Sequence, residues 1–505
     1  MKTMHALSLT IIVSLFLIFQ SCGKNREVKE FESFAKMEIN DSLITEAVQD
    51  EISYHPEIPS HRIDVRSKDS IVILTGSTEN LLAKERATEI AALVKGVKGV
   101  INQIVVKPDS VSDKVLKERV KGGLFYDPVT NSWEINVEVR NGNVFLSGKV
   151  DSWQEIQFAG DVAKAIKGVK SVTNSLVFEY DSLRRDEDIY YEINRIFLTD
   201  ARLDHALIKV KVENGNVTLW GTIGSLSEKS LAVANAWVTG VKSVDAENLN
   251  IDYWARDPRL RTDKYVRKSD EEITSAIETS FNYDYRIKVY QLDINVENGY
   301  VTLTGTVSNL QAKKSAEADA GNIVGVWAVD NRIKVRPDVL FSDDNVLGRI
   351  KSEFQRNPYL SRYDFKMNVS NGKLYLDGSV ATPYEKILAG KIASRIPGIV
   401  DIRNNLEVSK YFNRYSNYYY KNDYPVIETP DLLPDEKIKE NIEREFWRSP
   451  FVNAREIQVS VKNGHVILTG EVETNLEKKA AEKNAYEGGA FTVENDIGVR
   501  YWPSS

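Results

Sequence analysis

Apolar and polar residues alternate along a short segment that this chain repeats six times. In residues 208–221 (IKVKVENGNVTLWG), apolar side chains occupy every second position on both sides of Asn214 and Gly215. A period of two is typical of a strand with one buried face. Asn-Gly favours a type I′ turn because both residues tolerate positive φ. The segment therefore predicts a β-hairpin with one apolar face.

Each copy of the hairpin ends at a glycine, where the second strand must stop or bend. These glycines are Gly76, Gly148, Gly221, Gly305, Gly378 and Gly470. Successive copies lie 72 or 73 residues apart, except for two intervals of 84 and 92 residues that indicate inserted linkers. Five copies place Asn-Gly in the turn, whereas the first has Asp69-Ser70, which predicts a looser turn or another turn type.

A helical pattern precedes each hairpin. In the fourth copy, apolar residues four apart (Ile273, Ile277 and Phe281) form one stripe along a helix. Ser269 and Glu272 predict a capping box at the start of that helix.

A second helical pattern follows each hairpin and carries two alanines four apart at a constant offset. The pairs are Ala87/Ala91, Ala159/Ala163, Ala232/Ala236, Ala316/Ala320, Ala389/Ala393 and Ala481/Ala485. Such a stripe of small side chains lets a helix lie close to its neighbour.

A glycine turn and a third strand end each copy, and extra residues before Asn248 predict a bulge in the third copy. The order α-β-β-α-β predicts an α+β fold, a tandem series of small two-layer units with both helices on one face of a three-stranded sheet.

This order of elements, with its Asn-Gly hairpin, alanine helix and GVxxVxN strand, resembles the BON domain, named for bacterial osmotically inducible and nodulation proteins. The resemblance covers six ranges, 41–107, 111–180, 187–253, 269–337, 343–410 and 434–503. It implies non-catalytic modules of the periplasm or cell envelope. It also implies links to phospholipid-membrane binding, envelope integrity and protection during osmotic shock.

Residues 1–22 are predicted to be a lipoprotein-like signal peptide. An apolar run over 7–19 follows Lys2, is short for a bilayer span, and leads to Cys22, the one cysteine of the chain. Lipidation of Cys22 would leave residues 23–40 as a charged tether. Gly23 stands where an inner-membrane retention signal would have Asp, which favours the outer membrane. We therefore expect a lipid-anchored periplasmic protein.

Composition and scattered polar residues argue against catalysis. The net charge of −7 gives no support to nucleic-acid binding. The five histidines do not match metal-ligand spacing, and neither a Gly-rich phosphate loop nor a G-x-S-x-G elbow occurs. We predict that the protein is not an enzyme and has no metal or cofactor.

Two linkers and the open sheet faces are the candidate contact surfaces. The linker 254–268 combines Trp254 with the cations Arg256, Arg259, Arg261, Lys264, Arg267 and Lys268. Cations beside interfacial aromatic rings suit anionic lipid headgroups, although aromatics packed on neighbouring units are the alternative. The linker 411–433 holds six tyrosines within 411–424 and predicts either an extended spacer or a partner contact.

The uncovered sheet faces must meet water, another unit or a ligand, because they are partly apolar. They present Phe145, Tyr375, Ile467 and Ile73. The leading hypothesis is an envelope lipoprotein that binds phospholipid. The alternatives are a periplasmic scaffold or chaperone for other envelope proteins, and a purely structural spacer.

Overall fold

The chain folds as six copies of one α-β-β-α-β unit. The computed structural model describes residues 39–130, 133–178, 184–256, 268–287, 291–408, 433–449 and 451–500. Cys22 and the tyrosine-rich linker lie outside these residues. The helices of the described residues are α1 (Asp41–Tyr54), α2 (Leu81–Leu93), α3 (Asp113–Tyr126), α4 (Trp153–Lys164), α5 (Asp186–Thr199), α6 (Leu226–Ala236), α7 (Asp270–Tyr283), α8 (Leu310–Gly321), α9 (Asp343–Arg356), α10 (Pro383–Ser394), α11 (Asp435–Arg448) and α12 (Asn475–Glu487).

Each unit has a small sheet with the second hairpin strand at its centre, and in the fifth unit residues 379–380 and 407–408 form a separate two-stranded sheet. The strands are β1 (Ile63–Lys68), β2 (Ile71–Thr78), β3 (Gly99–Asn102), β4 (Val105–Val106), β5 (Ile135–Arg140), β6 (Asn143–Val150), β7 (Ser171–Phe178), β8 (Ile208–Glu213), β9 (Asn216–Ile223), β10 (Ser243–Asp245), β11 (Leu249–Ile251), β12 (Gln291–Glu297), β13 (Tyr300–Val307), β14 (Ala328–Asn331), β15 (Lys334–Val335), β16 (Lys366–Ser370), β17 (Lys373–Asp377), β18 (Ser379–Val380), β19 (Asp401–Asn404), β20 (Glu407–Val408), β21 (Ile457–Lys462), β22 (His465–Val472) and β23 (Thr492–Val499). In the second unit β5 pairs antiparallel with β6, and β7 pairs parallel with β6. The predicted fold class is confirmed.

The third strand is continuous in the second and sixth units and interrupted in the other four. In the third unit the interruption is the predicted bulge, because β10 and β11 both pair parallel with β9 but are separated by residues 246–248. The capping box at Ser269 and Glu272 is also present.

The alanine pairs lie at the centre of each unit. All twelve of these alanines have an exposed fraction of 0%. The helix that carries them therefore lies directly against the sheet and the first helix, as the small side chains predicted. Six separate hydrophobic clusters form the six cores.

In the first, second, third and sixth units, the glycine that recurs in the second strand is required by a close approach of the backbone. At Gly148 φ is 136°, and a Cβ placed there would lie 2.0 Å from the carbonyl oxygen of Glu134, the residue before β5. Any side chain would collide with that oxygen. The strand bends at Gly148 and continues to Val150.

An aspartate at the start of each first helix holds the hairpin turn. The carboxylate of Asp343 accepts hydrogen bonds from the backbone N–H groups of Asn371 (2.8 Å) and Gly372 (2.9 Å). In every other unit, the aspartate that begins the first helix accepts the same two hydrogen bonds, with lengths between 2.6 and 2.9 Å. We call this contact the turn clamp.

The turn of the first unit has the same conformation as the others. Asp69 and Ser70 have φ of 54° and 63°, and their N–H groups both donate to Asp41. The prediction of a looser turn or another turn type was therefore wrong. The clamp holds Asp69 and Ser70 in the left-handed region although they are not Asn and Gly. Glycine at the second position would avoid the steric cost of this conformation.

The first three units are joined head to tail through the first residue of each second helix. Leu81, which begins α2, packs into the core of the second unit. Trp153, which begins α4, stacks on Trp237 of the third unit, with ring centroids 5.4 Å apart. Leu226, which begins α6, packs against the core of the first unit. These three contacts close a ring.

Two contacts of the same kind join the last three units. Leu310, the first residue of α8, packs into the core of the fifth unit. Asn475, the first residue of α12, faces the end of α8, and its Nδ2 would lie 3.9 Å from a Cβ on Gly321.

The two groups of three are stacked through pairs of first helices. The Lys167 N–H of the second unit donates to the Arg356 carbonyl that ends α9 (2.7 Å), and the Val324 N–H of the fourth unit donates in the same way to the Thr199 carbonyl that ends α5 (2.8 Å). The third pair joins the first and sixth units. A ring of three units and a second group of three, joined by three such pairings, approach D3 symmetry within one chain.

The turn clamp can be tested against a neighbouring carboxylate. Asp343→Ala removes two charged hydrogen bonds and should destabilise the fifth unit by about 1.5–3 kcal/mol. Amide exchange of the hairpin 366–377, measured in the whole protein, should accelerate roughly ten- to a hundredfold. Asp344→Ala, which changes the next, exposed residue, is the matched control. Equal exchange in both variants would contradict the clamp.

The turn of the first unit provides a reciprocal test. Ser70→Gly relieves a left-handed serine and should stabilise that unit by about 1 kcal/mol. Gly142→Ser, at the same turn position of the second unit, should destabilise its unit by a similar amount. Amide exchange of the two hairpins measures both changes, and a slower-exchanging hairpin in Gly142→Ser would refute this interpretation.

Candidate functional site

The open sheet faces lie on the outside of the protein. The units meet through helices and strand ends, so apolar side chains on the far side of the sheets stay exposed. Phe145, Tyr375 and Ile467 have exposed fractions of 37%, 37% and 40%. These residues belong to three different units, and on the sheet of Phe145 the side chain of Val177 is also exposed, at 58%.

A larger exposed aromatic group lies where the second and fifth units pair. Phe125 near the end of α3 is 57% exposed, and Trp133 in the following loop is 83% exposed. Their ring centroids are 6.4 Å apart, and Tyr126 lies 5.1 Å from Phe125. A tryptophan this exposed is unusual for a side chain whose large apolar surface favours burial.

The fifth unit adds a cation to this group. The guanidinium of Arg349 lies 3.9 Å from the ring centroid of Phe341 and 4.9 Å from that of Tyr126. Among the described residues, no carboxylate forms a salt bridge with Arg349. Val339 and Leu340 directly precede Phe341 and are 58% and 91% exposed.

We call these side chains the aromatic patch. Its members are Phe125, Tyr126, Trp133, Val339, Leu340, Phe341 and Arg349. The Arg349 guanidinium lies between two rings and has no salt bridge within the described residues, so it is available to a phosphate or carboxylate. The apolar side chains around it favour an environment away from water.

Both units are needed to form the aromatic patch. Asp127 directly follows α3, is buried, and lies 3.5 Å from the Arg395 guanidinium of the fifth unit. Burial raises the pKa of the Asp127 carboxyl, and the charge of Arg395 opposes that rise. On α3, Gly122 leaves room for Arg356, since a Cβ there would lie 2.6 Å from Nη2 of that arginine.

The predicted basic linker is only partly within the described residues. Trp254 and Tyr253 are 37% and 43% exposed, and the ammonium of Lys95 lies 5.3 Å from the Tyr253 ring centroid. Arg256 ends the short turn Tyr253–Arg256, and Lys268 is half-buried. Arg259, Arg261, Lys264 and Arg267 lie outside the described residues. The linker as a lipid-contact site therefore stays a prediction.

Within the described part of the chain, no group of three or more His, Cys, Asp or Glu residues is placed to hold a metal ion. None of the described helices is long and apolar enough to cross a membrane.

A model of the BON domain matches the chain six times, over residues 40–108, 112–180, 185–252, 269–337, 342–410 and 434–501. The chain belongs to the BON domain family. The matches cover most of the sequence, and each includes a first helix, a hairpin, an alanine helix and a third strand.

The chain is also similar to two curated proteins. Osmotically-inducible protein Y of Escherichia coli is 35% identical over 145 residues, which are 27% of this chain and 72% of that protein. The outer membrane lipoprotein DolP of Haemophilus influenzae is 32% identical over 149 residues, 28% of this chain and 76% of that protein. Among solved structures, CdsD of the Chlamydia trachomatis type III secretion system matches 46% of this chain and 96% of its own at 16% identity, but the TM-score of 0.13 supports no argument.

The sequence reasoning missed both the turn clamp and the aromatic patch. The clamp has a clear signal, because an aspartate stands 28 residues before the first turn residue in every copy. The patch has no repeated signal, since its residues come from the end of α3 and from the joint before α9.

The pairing that builds the aromatic patch can be disrupted at one position. Gly122→Leu places a side chain in the space of Arg356 without entering the core of its own unit. We expect the Lys167 amide, which donates to the Arg356 carbonyl, to exchange at least tenfold faster. Gly348→Ala is the control: it changes another glycine of a first helix, with no atom within 4 Å of its added Cβ. Unchanged exchange in Gly122→Leu would contradict the pairing.

Proposed function

We propose that this protein is a lipid-anchored protein of the bacterial envelope whose aromatic patch binds anionic phospholipid. Membership of the BON family supports an envelope role, and the similarity to an outer membrane lipoprotein and an osmotically inducible protein points the same way. Lipidation at Cys22 would tether the chain to one membrane. By binding phospholipid, the protein would support envelope integrity during osmotic stress.

The observation that carries this proposal is the exposure of large apolar side chains around an arginine that forms no salt bridge within the described residues. Phe125, Trp133 and Leu340 are 57%, 83% and 91% exposed. Aromatic side chains of this size bury about 150–250 Å² each on full burial, at about 25 cal/mol per Å². Partial insertion of two rings therefore supplies a few kcal/mol, and a cation near an anionic surface adds about 1 kcal/mol.

The chemistry of the aromatic patch suits a lipid surface better than a catalytic substrate. Its apolar side chains lie beside a guanidinium, just as acyl chains lie beside phosphates at a membrane surface. A guanidinium donates in a fixed fork that matches phosphate oxygens. The basic linker with Trp254 is a second candidate contact of the same kind.

Vesicle co-sedimentation of residues 37–505 tests the proposal. The double variant Phe125→Ser/Trp133→Ser should bind phosphatidylglycerol-containing vesicles at least tenfold more weakly, because the inserted apolar area is lost. Arg349→Gln should weaken binding about fivefold on anionic vesicles and leave binding to neutral vesicles unchanged.

The matched control is Tyr191→Ser, which removes a 62% exposed ring from a first helix elsewhere in the chain. Its binding should equal that of the unchanged protein. If the unchanged protein fails to bind either kind of vesicle at low salt, phospholipid binding is excluded. If the Phe125→Ser/Trp133→Ser variant binds normally, the aromatic patch is not the contact.

A further inference from the structure

A cavity of about 270 Å³ lies where the second, third and fourth units meet. The second unit lines it with Trp153, Gln154 and Phe158 of α4, and the other two units line it with α5, α6, α7, α8 and the residues that follow these helices. Tyr285, another lining residue, is 37% exposed, so the cavity lies close to the surface there. Its volume is just below the range of about 300–1,000 Å³ for ligand pockets. At about 30 Å³ for each water-sized group, it has room for about eight such groups.

Part of the lining is aromatic. Trp153 and Trp237 both line the cavity, and their rings are stacked with centroids 5.4 Å apart. Phe178 packs edge-on against Trp237, with ring centroids 5.7 Å apart. Indole rings bury apolar groups well and also attract a cation to their faces.

The charged part of the lining carries one more acid than base. The third and fourth units each place an Asp-x-Arg sequence directly after the first helix, Asp200 with Arg202 and Asp284 with Arg286. Arg202 donates to both oxygens of Asp200 at 2.9 and 2.7 Å, and Arg286 donates to both oxygens of Asp284 at 2.8 and 2.6 Å. Asp319 is a third carboxyl group, and the described lining includes no third cation. Three carboxylates against two guanidinium groups give a net charge of −1.

Asp319 occupies a position where the third unit has an asparagine. Asn235 and Asp319 each directly precede the second alanine of the pair, in α6 and α8. The Asn235 amide donates to Oδ2 of Asp200 at 2.9 Å, whereas an ionised Asp319 has no hydrogen to donate. The Asp319 carboxylate lies 3.6 Å from Nη2 of Arg286, and that guanidinium is already paired with Asp284. The excess negative charge of the cavity is therefore at Asp319.

The surroundings of Asp319 favour an added positive charge. Burial raises the pKa of the Asp319 carboxyl, the charge of Asp284 adds to the rise, and Arg286 and Arg202 oppose it. The other titratable groups of the lining are Asp200, Tyr283 and Tyr285. A cation beside Asp319 would stabilise its ionised form, so the cation and a proton compete for this carboxyl group.

Gln154 provides a second acceptor. Its Nε2 donates to the Trp237 carbonyl at 2.8 Å, which fixes the orientation of the amide. Its Oε1 is buried and has no hydrogen-bond partner within the described residues. The guanidinium groups of the lining already donate to carboxylates. The cavity therefore favours a ligand that donates hydrogen bonds.

We propose that this cavity binds a small organic cation, a protonated amine whose ammonium group pairs with Asp319 and whose apolar body packs against Trp153 and Trp237. The ammonium group supplies the positive charge that the lining lacks, together with N–H donors for its acceptors. The proposal is independent of the lipid-binding proposal, because the cavity lies among the second, third and fourth units and the aromatic patch lies between the second and fifth.

Saturation-transfer NMR with three ring compounds of similar size tests the charge requirement. Benzylamine, benzyl alcohol and benzoate present the same ring with a positive, a neutral and a negative group. At pH 8, benzylamine should bind residues 37–505, which contain all six units, at least tenfold more tightly than benzyl alcohol, because its hydrogen bond to Asp319 is charge-assisted. Benzoate should not bind. At pH 5 the affinity for benzylamine should be at least threefold lower, because a proton competes for Asp319.

Asp319→Asn is the decisive variant, because the third unit already has asparagine at this position. The new amide can donate to Asp284 as Asn235 donates to Asp200, so the fold should be retained, and a thermal unfolding curve checks this. Benzylamine should bind at least tenfold more weakly, with the same affinity at pH 5 and pH 8. Glu278→Gln is the matched control: it removes an exposed carboxylate of α7 that does not line the cavity, and its affinity should equal that of the unchanged chain.

Equal binding of benzylamine and benzyl alcohol would overturn the proposal, because the cavity would then accept any small ring. The absence of benzylamine binding at millimolar concentration would also overturn it, as would unchanged binding in Asp319→Asn. An equal loss in Glu278→Gln and Asp319→Asn would show a general effect of net charge and not a site. None of these results depends on vesicle binding, so the two proposals can fail separately.

Discussion

Two hydrogen bonds from one aspartate to two turn amides connect the halves of every unit. The aspartate begins the first helix, and the turn joins the two hairpin strands, so the clamp sets the position of the helix relative to the sheet. The N–H groups of a type I′ turn point away from the hairpin and need an acceptor. A carboxylate at a helix N-terminus is also favoured by the helix dipole. The contact thus gives the turn N–H groups an acceptor and places a negative charge at the helix N-terminus.

With the first helix placed by the clamp, the alanine helix can lie flat beside it. The alanines leave no side-chain bulk between helix and sheet, and all of them are fully buried. About 65 residues give a small core, and units of this size are marginally stable alone. Packing the helical sides of six units against one another adds buried surface to each core, as Leu81 does for the second unit and Leu310 for the fifth.

The sequence predicted the repeated unit well because its signals are local. Strand alternation, Asn-Gly turns and the alanine offset all depend on residues close in the chain. The conformation of Asp69-Ser70 was not predictable from turn propensity, because Asp41, 28 residues earlier, imposes it. Tertiary contacts overrode local preference at this point.

The arrangement of the units and the candidate sites depend on contacts distant in sequence. Arg349 and Tyr126 are more than 200 residues apart, and Asp50 and Arg448, which form a salt bridge between the first and sixth units, are nearly 400 apart. No repeated pattern marks them, because each belongs to one pairing alone. Trp254 and the cations beside it are close in the sequence and could be recognised there. The aromatic patch forms only when the second and fifth units pair in the folded protein. The units share one fold, and the aromatic patch lies where the residues of one pairing differ from those of the other two.

The central claim is that six units form two stacked groups of three in one compact chain. Small-angle X-ray scattering of residues 37–505 tests it most directly. A compact chain of this length has a radius of gyration of about 23 Å. A radius of gyration of about 23–26 Å is the predicted result. A value of about 40 Å or more, as expected for six units in a row, would contradict the stacked groups.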